Sequence, residues 1–171
     1  ALRKSKVQIE LLTLSEEDLR SSTDVFPIKF LDIKRNHVIY RGKDVMSDLE
    51  ISRDNLRLRC EQEIKNLMLR LRLNYVSRKQ NSKSIASLLN RIYLSLIRNL
   101  GVLVELKSGD VLVTNSDIIK GVGKLGIDIM ALHDVEKLRQ DNFTIELEDR
   151  KRLLEKVMHC VRDAAAMADK L

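Results

Sequence analysis

The fold class is decided by residues 52–75, which read SRDNLRLRCEQEIKNLMLRLRLNY. The apolar residues recur at spacings of three and four, the period of an α-helix with one buried face. At 1.5 Å per residue such a helix runs about 35 Å. The sequence therefore predicts a long helix that buries one stripe: Leu56, Cys60, Ile64, Leu67, Leu71 and Tyr75.

The rest of the chain repeats this helical period. Gly101 is expected to stop or bend the second helix, and residues 102–106 fit either a helix tail or a short strand. We therefore predict a bundle of about five helices over residues 52–171. After the first helix, the others are expected to begin near Ser82, Thr114, Met130 and Glu146.

Upstream of the long helix the pattern changes to the period-2 alternation of strands. A short helix capped by Ser15 is expected among them. The predicted fold class is thus α+β and mostly α, with a partial mixed sheet of two or three strands before the bundle. Residues 1–51 would form the remnant of an α/β domain. The candidate strands are residues 7–12, residues 26–33 with Pro27 at an edge, and residues 38–40.

Composition favours packed helices in a reducing compartment. Aromatic residues make up only 4% of the chain and Trp is absent, so the core must be aliphatic. Cys60 and Cys160 form neither a paired framework nor a C-x-x-C ligand pattern, and we expect both to be small core residues.

No long apolar run or leader is present, which predicts no membrane span and a cytoplasmic protein. The start at Ala1 suggests a truncated or processed product.

Positive charge is concentrated in the first half of the chain. Residues 1–80 carry 17 Lys and Arg against 12 Asp and Glu, within a net charge of +6. Residues 53–79 alone carry eight basic against three acidic side chains. A basic helix of this kind could hold a triphosphate or a nucleic-acid backbone. The simpler interpretation is a solvated helix face, because side chains that would stack on bases are scarce.

Several segments carry a resemblance to a known family. These segments are Asp24-Val-Phe-Pro-Ile-Lys-Phe-Leu-Asp-Ile-Lys34, His37, Tyr40-Arg-Gly-Lys-Asp-Val45, Leu56-Arg-Leu-Arg-Cys-Glu-Gln-Glu63 and Leu69-Arg-Leu-Arg72. They resemble a bacterial family of predicted nucleotidyltransferases in the DNA polymerase beta-like superfamily, most closely over about residues 7–76. The later helices agree with that family only in pattern.

The resemblance implies transfer of a nucleotidyl group from a nucleoside triphosphate to an unknown acceptor. In that family a Gly-Ser turn and an Asp-x-Asp strand hold Mg²⁺ against the triphosphate. This sequence contains neither motif, and in the family they would precede residue 1. Two-metal transfer needs clustered carboxylates, so the residues given are expected to be inactive alone.

The same resemblance suggests supporting site residues. The family's third carboxylate, a metal ligand, would correspond to Glu10, although Gln8 fits the place equally. Glu61 and Lys65 resemble a catalytic Glu-x-x-x-Lys pair, with Glu61 as general base and Lys65 on phosphate. An ordinary ion pair four residues apart is the simpler interpretation. Residues that could border a nucleotide pocket are Asp32, His37 and Arg41.

Two other classes of function compete with this one. Arg152 and His159 satisfy the loosest form of the Arg-x4–6-His motif of HEPN-like RNases in toxin–antitoxin pairs, although Leu153 stands where a polar residue is usual. Mutating Arg152 and His159 and testing RNA cleavage would distinguish an RNase from a nucleotidyltransferase-like protein. The third class is a non-catalytic helical module for homodimerisation or docking, because apolar stripes on long helices often continue across subunit interfaces.

Overall fold

A computed structural model describes residues 11–76, 82–140 and 146–171. The chain divides into two compact units, Ala1–Ser52 and Arg53–Leu171. Within the described ranges the structure contains seven helices and no strand. The predicted α+β class with a partial mixed sheet is therefore wrong, and the described part of the chain is all-α.

The first unit begins with helix α1, Glu16–Ser21, which starts where the sequence predicted it. The Ser15 hydroxyl accepts a hydrogen bond from the backbone N–H of Asp18 at 3.0 Å. The Asp18 carboxylate in turn accepts the Ser15 N–H at 3.2 Å. This reciprocal capping box satisfies two backbone donors that a helix leaves without partners at its start.

Helix α2, Pro27–Asn36, replaces the strand predicted over residues 26–33. Pro27 lies in the first turn, where a missing N–H costs no hydrogen bond and the fixed φ suits a helix. Phe30 is only 2% exposed and packs with Leu19 and Leu49. Ile33 lies three residues on and joins the same cluster, so the buried face follows helical spacing rather than alternation.

The other two predicted strands are not formed where the structure describes them. Val38 and Tyr40 lie in an irregular segment after α2, and their side chains are 91% and 101% exposed. Three β-favouring residues in a row are too few to form a strand without a neighbouring ladder. Of residues 7–12 only Leu11 and Leu12 are described, both exposed and outside any helix or strand.

The second unit is a bundle of helices, as the sequence predicted. Helix α4 packs against the other four, and α3 packs most extensively against α7. The cap at Thr114 is also confirmed, since its hydroxyl accepts the Asp117 N–H at 3.1 Å. The helices are α3 (Arg53–Val76), α4 (Ser82–Ser108), α5 (Asn115–Lys124), α6 (Met130–Gln140) and α7 (Leu147–Ala168).

Helix α4 runs through Gly101, so of the two outcomes predicted there, a stop or a bend, the stop is wrong. Residues 102–106, which the sequence left open, are helical. A Cβ atom built on Gly101 would lie 3.1 Å from Cδ1 of Ile118 on α5. The glycine lets α5 approach closely, and the packing offsets a helix penalty of about 1 kcal/mol.

The stripe predicted on α3 forms the core contact from Leu56 to Leu71, with Cys60 and Ile64 fully buried. The prediction that Tyr75 is buried in this stripe is wrong, because its side chain is 38% exposed. Both cysteines are free and buried, and burial raises the pKa of the Cys60 and Cys160 thiols to about 12. Both are therefore inert core residues at neutral pH, as expected. None of the helices in the described residues is long and apolar enough to cross a membrane.

Candidate functional site

A seam of polar contacts runs between α3 and α7. At one end the Tyr75 hydroxyl donates to the Glu155 carboxylate at 2.8 Å. At the other end the Lys65 ammonium lies 2.6 Å from the Asp169 carboxylate. Since the later residue on α3 meets the earlier residue on α7, the two helices are antiparallel. The acidic side chains of these two contacts, Glu155 and Asp169, thus lie at the two ends of the seam.

The middle of this seam forms a pocket of about 170 Å³. Its apolar wall consists of Met68 on α3 and Met158 on α7, and the rest of its lining carries nitrogen donors. Arg72 comes from α3, while His159 and Arg162 come from α7. The pocket therefore combines two arginines and a histidine and has no acidic residue in its lining. We call these three residues the groove cluster.

Charge in the groove cluster is only partly compensated. Arg162 donates to the carboxylate of Asp163, the next residue on α7, at 3.1 Å. Neither Arg72 nor His159 has an ion pair with any described residue. No acidic side chain lines the pocket, so its lining presents two guanidinium groups and an imidazole. Such a site is suited to an anionic ligand.

Glu61 and Lys65, the predicted catalytic pair, do lie in contact. The Lys65 ammonium donates to the Glu61 carboxylate at 2.7 Å. The hydrogen bond that Lys65 donates to Asp169, and then the one that it donates to Glu61, raise the pKa of Lys65. A lysine held by two carboxylates ties the end of α7 to α3, and the catalytic role expected for the pair stays a prediction.

The three residues predicted to border a nucleotide pocket are only partly brought together. His37 and Arg41 line an open concavity of about 400 Å³ in the first unit, while Asp32 does not. Instead, the carbonyl oxygen and carboxylate of Asp32 accept hydrogen bonds from the Asn36 amide. The lining is mostly apolar and includes Val38 and Met46.

His37 closes the loop that forms this concavity. Its Nε2 atom lies 3.1 Å from the Asp44 carboxylate and its Nδ1 atom 3.0 Å from the Lys34 carbonyl oxygen. Asp44 also accepts the backbone N–H groups of Ser47 and Met46. The bond from Ser47 in particular lowers the pKa of the Asp44 carboxyl group. His37 and Asp44 thus hold a loop together.

The predicted metal ligand Glu10, like its alternative Gln8, lies outside the described residues. Within the described ranges no group of three His, Cys, Asp or Glu side chains is placed to hold a metal ion. The Mg²⁺ that the family resemblance implies therefore stays a prediction.

The candidate RNase pair is not brought into one site. Arg152 is exposed on α7 and lies 4.0 Å from the carboxylate of Asp149 in the same helix. His159 lies two turns further along and lines the groove pocket, which Arg152 does not. The pocket pairs His159 with Arg72 and Arg162 instead.

Helix α3 has a second apolar face, on the side opposite the core stripe. Leu58, Leu69, Leu73 and Val76 are 50%, 58%, 73% and 78% exposed. At about 100° per residue these positions fall within one stripe. The same stripe contains the exposed amides Gln62 and Asn66. We call these six residues the outer stripe, and none of them is charged.

Neither the groove cluster nor the outer stripe was predicted from the sequence. For the groove cluster, the available signal was basic side chains at helical spacing, such as His159 and Arg162 on α7 and Lys65 and Arg72 on α3. The signal for the outer stripe was the set of apolar residues on α3 that the core stripe leaves unused. Only the antiparallel packing of α3 against α7 shows which basic residues converge.

No model of a known protein family, no curated protein and no solved structure matches this chain.

Proposed function

We propose that this chain is a helical docking module that self-associates through the outer stripe of α3. The observation that carries the proposal is an uncharged, partly apolar stripe along a 24-residue helix whose other face is already buried in its own bundle. A helix that is apolar on two faces usually covers the second one with a partner. The partner proposed is a second copy of the chain.

The stripe matches itself when two copies of α3 run antiparallel. A twofold axis near residue 67 brings Leu58 beside the partner's Val76. In the same register Gln62 lies beside the partner's Leu73, and Asn66 beside the partner's Leu69. Amide side chains within an otherwise apolar helix seam specify register at some cost in stability. The apolar residues of the stripe thus supply the attraction between the two copies, and its amide side chains set their register.

Charges beside the stripe favour this orientation. In the antiparallel register Glu63 faces the partner's Arg70, and symmetry repeats the pair. Parallel packing would place Arg70 beside the partner's Arg72 and Glu63 beside the partner's Glu61. Like charges in contact disfavour a wrong arrangement more strongly than surface ion pairs favour a right one. The charge pattern therefore supports antiparallel pairing.

Sedimentation velocity of matched leucine variants tests the proposal. Leu73→Ser removes an apolar contact from the stripe, whereas Leu94→Ser changes a leucine on α4 that is 54% exposed. Concentrations from about 1 μM to 1 mM span association free energies of roughly 8 to 4 kcal/mol. We expect wild type and Leu94→Ser to dimerise alike, and Leu73→Ser to dimerise at least about tenfold more weakly. A wild type that stays monomeric, or equal weakening by both variants, would contradict the proposal.

A charge exchange tests the register. Glu63→Arg alone would set arginine against the partner's Arg70 and weaken dimerisation. Adding Arg70→Glu restores opposite charges at both symmetric contacts, so the double variant should recover most of the wild-type affinity. If the double variant is no tighter than Glu63→Arg alone, the antiparallel register is wrong.

As a second function, we propose that the chain is the C-terminal part of a nucleotidyltransferase-like protein that uses a nucleoside triphosphate. Support comes from the sequence resemblance and from the contact between Glu61 and Lys65 on a partly exposed face of α3. The Glu61 side chain is 26% exposed, so an acceptor hydroxyl can approach its carboxylate, as general base catalysis requires. Self-association and this activity are compatible.

The reading frame upstream of residue 1 tests the second proposal. We expect it to encode a Gly-Ser turn followed by an Asp-x-Asp strand. The longer protein should then release pyrophosphate from a nucleoside triphosphate, and Glu61→Gln should slow that release about 100-fold or more. Absence of both motifs, or a Glu61→Gln variant with wild-type rate, would rule the proposal out.

A further inference from the structure

We propose that the groove cluster is a binding site for a phosphate-bearing small molecule, such as an oligophosphate or the phosphates of a nucleotide. The site lies in the middle of the α3–α7 seam and is built by Arg72, His159 and Arg162. It depends on neither function proposed above, because it uses neither the outer stripe nor Glu61.

The composition of the pocket indicates the ligand's charge. Three nitrogen-bearing side chains from two helices face one space, and the described residues give Arg72 and His159 no acidic partner. Arginine presents several donors in a planar fork that matches phosphate oxygens. The two arginines, one on α3 and one on α7, can hold an anion with two or more negative charges more tightly than they can hold a single carboxylate. This favours phosphate over a simple carboxylic acid.

The size and walls of the pocket indicate a small ligand. Its volume of about 170 Å³ is several times the roughly 30 Å³ that a water molecule occupies in the liquid. That space fits one or two phosphate groups and not a folded macromolecule. Met68 and Met158 supply an adaptable apolar wall, against which part of a base or sugar can pack.

The packing of the seam pre-organises the site. Tyr75 is held by Glu155 on one side of the pocket. Lys65 is held by Asp169 on the other side. These contacts fix the two helices at both ends of the pocket, so its side chains need little rearrangement on binding.

Calorimetric titration of the full chain at low salt tests the site with tripolyphosphate, ATP, adenosine and a single-stranded RNA oligonucleotide. We expect the two phosphate compounds to bind and adenosine not to bind. Binding should weaken with added salt, because charge dominates it. Tighter binding of tripolyphosphate than of ATP would identify an inorganic oligophosphate as the source, and the reverse order a nucleotide.

Two arginine variants of α7 provide a matched comparison. Arg162 lines the pocket and contacts Asp163, while Arg152 lies outside it and contacts Asp149. Arg162→Gln should weaken phosphate binding about tenfold or more, and Arg152→Gln should leave it unchanged. Equal weakening by both would show that only general positive charge matters and would overturn the proposal. The proposal would also be overturned if the wild type bound neither phosphate compound. It would be overturned, too, if the wild type bound the RNA far more tightly than ATP and Arg162→Gln weakened that RNA binding.

Discussion

The two units differ most in how much apolar surface they bury. Among the described residues, the first unit buries only four apolar side chains, Leu19, Ile28, Phe30 and Leu49, apart from Pro27. All the other buried apolar residues lie in the second unit. A core this small supplies little stability, and local hydrogen bonds and caps then decide the structure. In the second unit, by contrast, the large core means that the helical spacing of the apolar residues decides the structure.

The largest expected effect is on the small core. Phe30→Ala removes the central ring of the first unit, and Phe→Ala in a core typically costs about 3–5 kcal/mol. A core of this size supplies no more than that, so we expect the unit to lose its structure. Hydrogen exchange of peptides within residues 16–36 would measure the loss. Phe26→Ala is the control, because Phe26 is 46% exposed. Retained protection in Phe30→Ala would remove the contrast between the units.

A deletion in the large core should weaken the second unit without unfolding it. Leu103 is fully buried on α4, and Leu103→Ala should lower the free energy of unfolding by about 2–5 kcal/mol. Urea denaturation followed by circular dichroism at 222 nm gives the change. The exposed Leu94 on the same helix is the matched control, with an expected loss below about 1 kcal/mol. Equal losses would mean that burial does not separate the two positions.

The same cap deletion in each unit sharpens the comparison. Ser15→Ala and Thr114→Ala remove equivalent side-chain acceptors from α1 and α5. Each should cost about 1 kcal/mol. The same loss is a larger share of the stability of the first unit than of the second. Hydrogen exchange near α1 should therefore accelerate more than hydrogen exchange near α5. The opposite order would indicate that α1 is stabilised by something other than its cap and small core.

The smallest expected effect is the acid sensitivity of the loop in the first unit. Hydrogen bonds, first of all from the Ser47 N–H, lower the pKa of the Asp44 carboxyl group. A lowered pKa in the folded state stabilises the fold above the ordinary carboxyl pKa, and the stabilisation is lost as pH falls through the lowered value. Loop protection should therefore fall only in strong acid. Asp44→Asn, which retains an acceptor oxygen, should reduce this pH dependence. An unchanged acid profile would show that Asp44 is not responsible.

The sequence predicted the second unit well and the first unit poorly, for physical reasons. On α3 the core residues from Leu56 to Leu71 repeat over about four turns, and no other structure buries that pattern. Over residues 26–33 only three apolar residues alternate, and a short helix begun by Pro27 buries part of the same set. Gly101 shows a related ambiguity, because a glycine can end a helix or admit a close neighbour.

The candidate sites were less predictable than the fold. Contact between Glu61 and Lys65 follows from helical spacing alone, and the structure shows it. The groove cluster needed the pairing of α3 with α7, which one sequence does not encode as a local pattern. Asp32 and His37 are near in sequence yet point to different partners, because His37 follows the end of α2.

Disulfide cross-linking through α3 tests the central claim, antiparallel self-association, most directly. Both native thiols are buried with pKa values of about 12, so an engineered cysteine is the reactive one at neutral pH. Asn66→Cys places a thiol next to the proposed twofold axis. Leu58→Cys places it opposite the partner's Val76, about 27 Å along the helix from its own counterpart. We predict that mild oxidation links Asn66→Cys into a covalent dimer and leaves Leu58→Cys monomeric, since a disulfide needs Cα atoms within about 7 Å. Efficient linking of Leu58→Cys, or no linking of Asn66→Cys, would contradict the account.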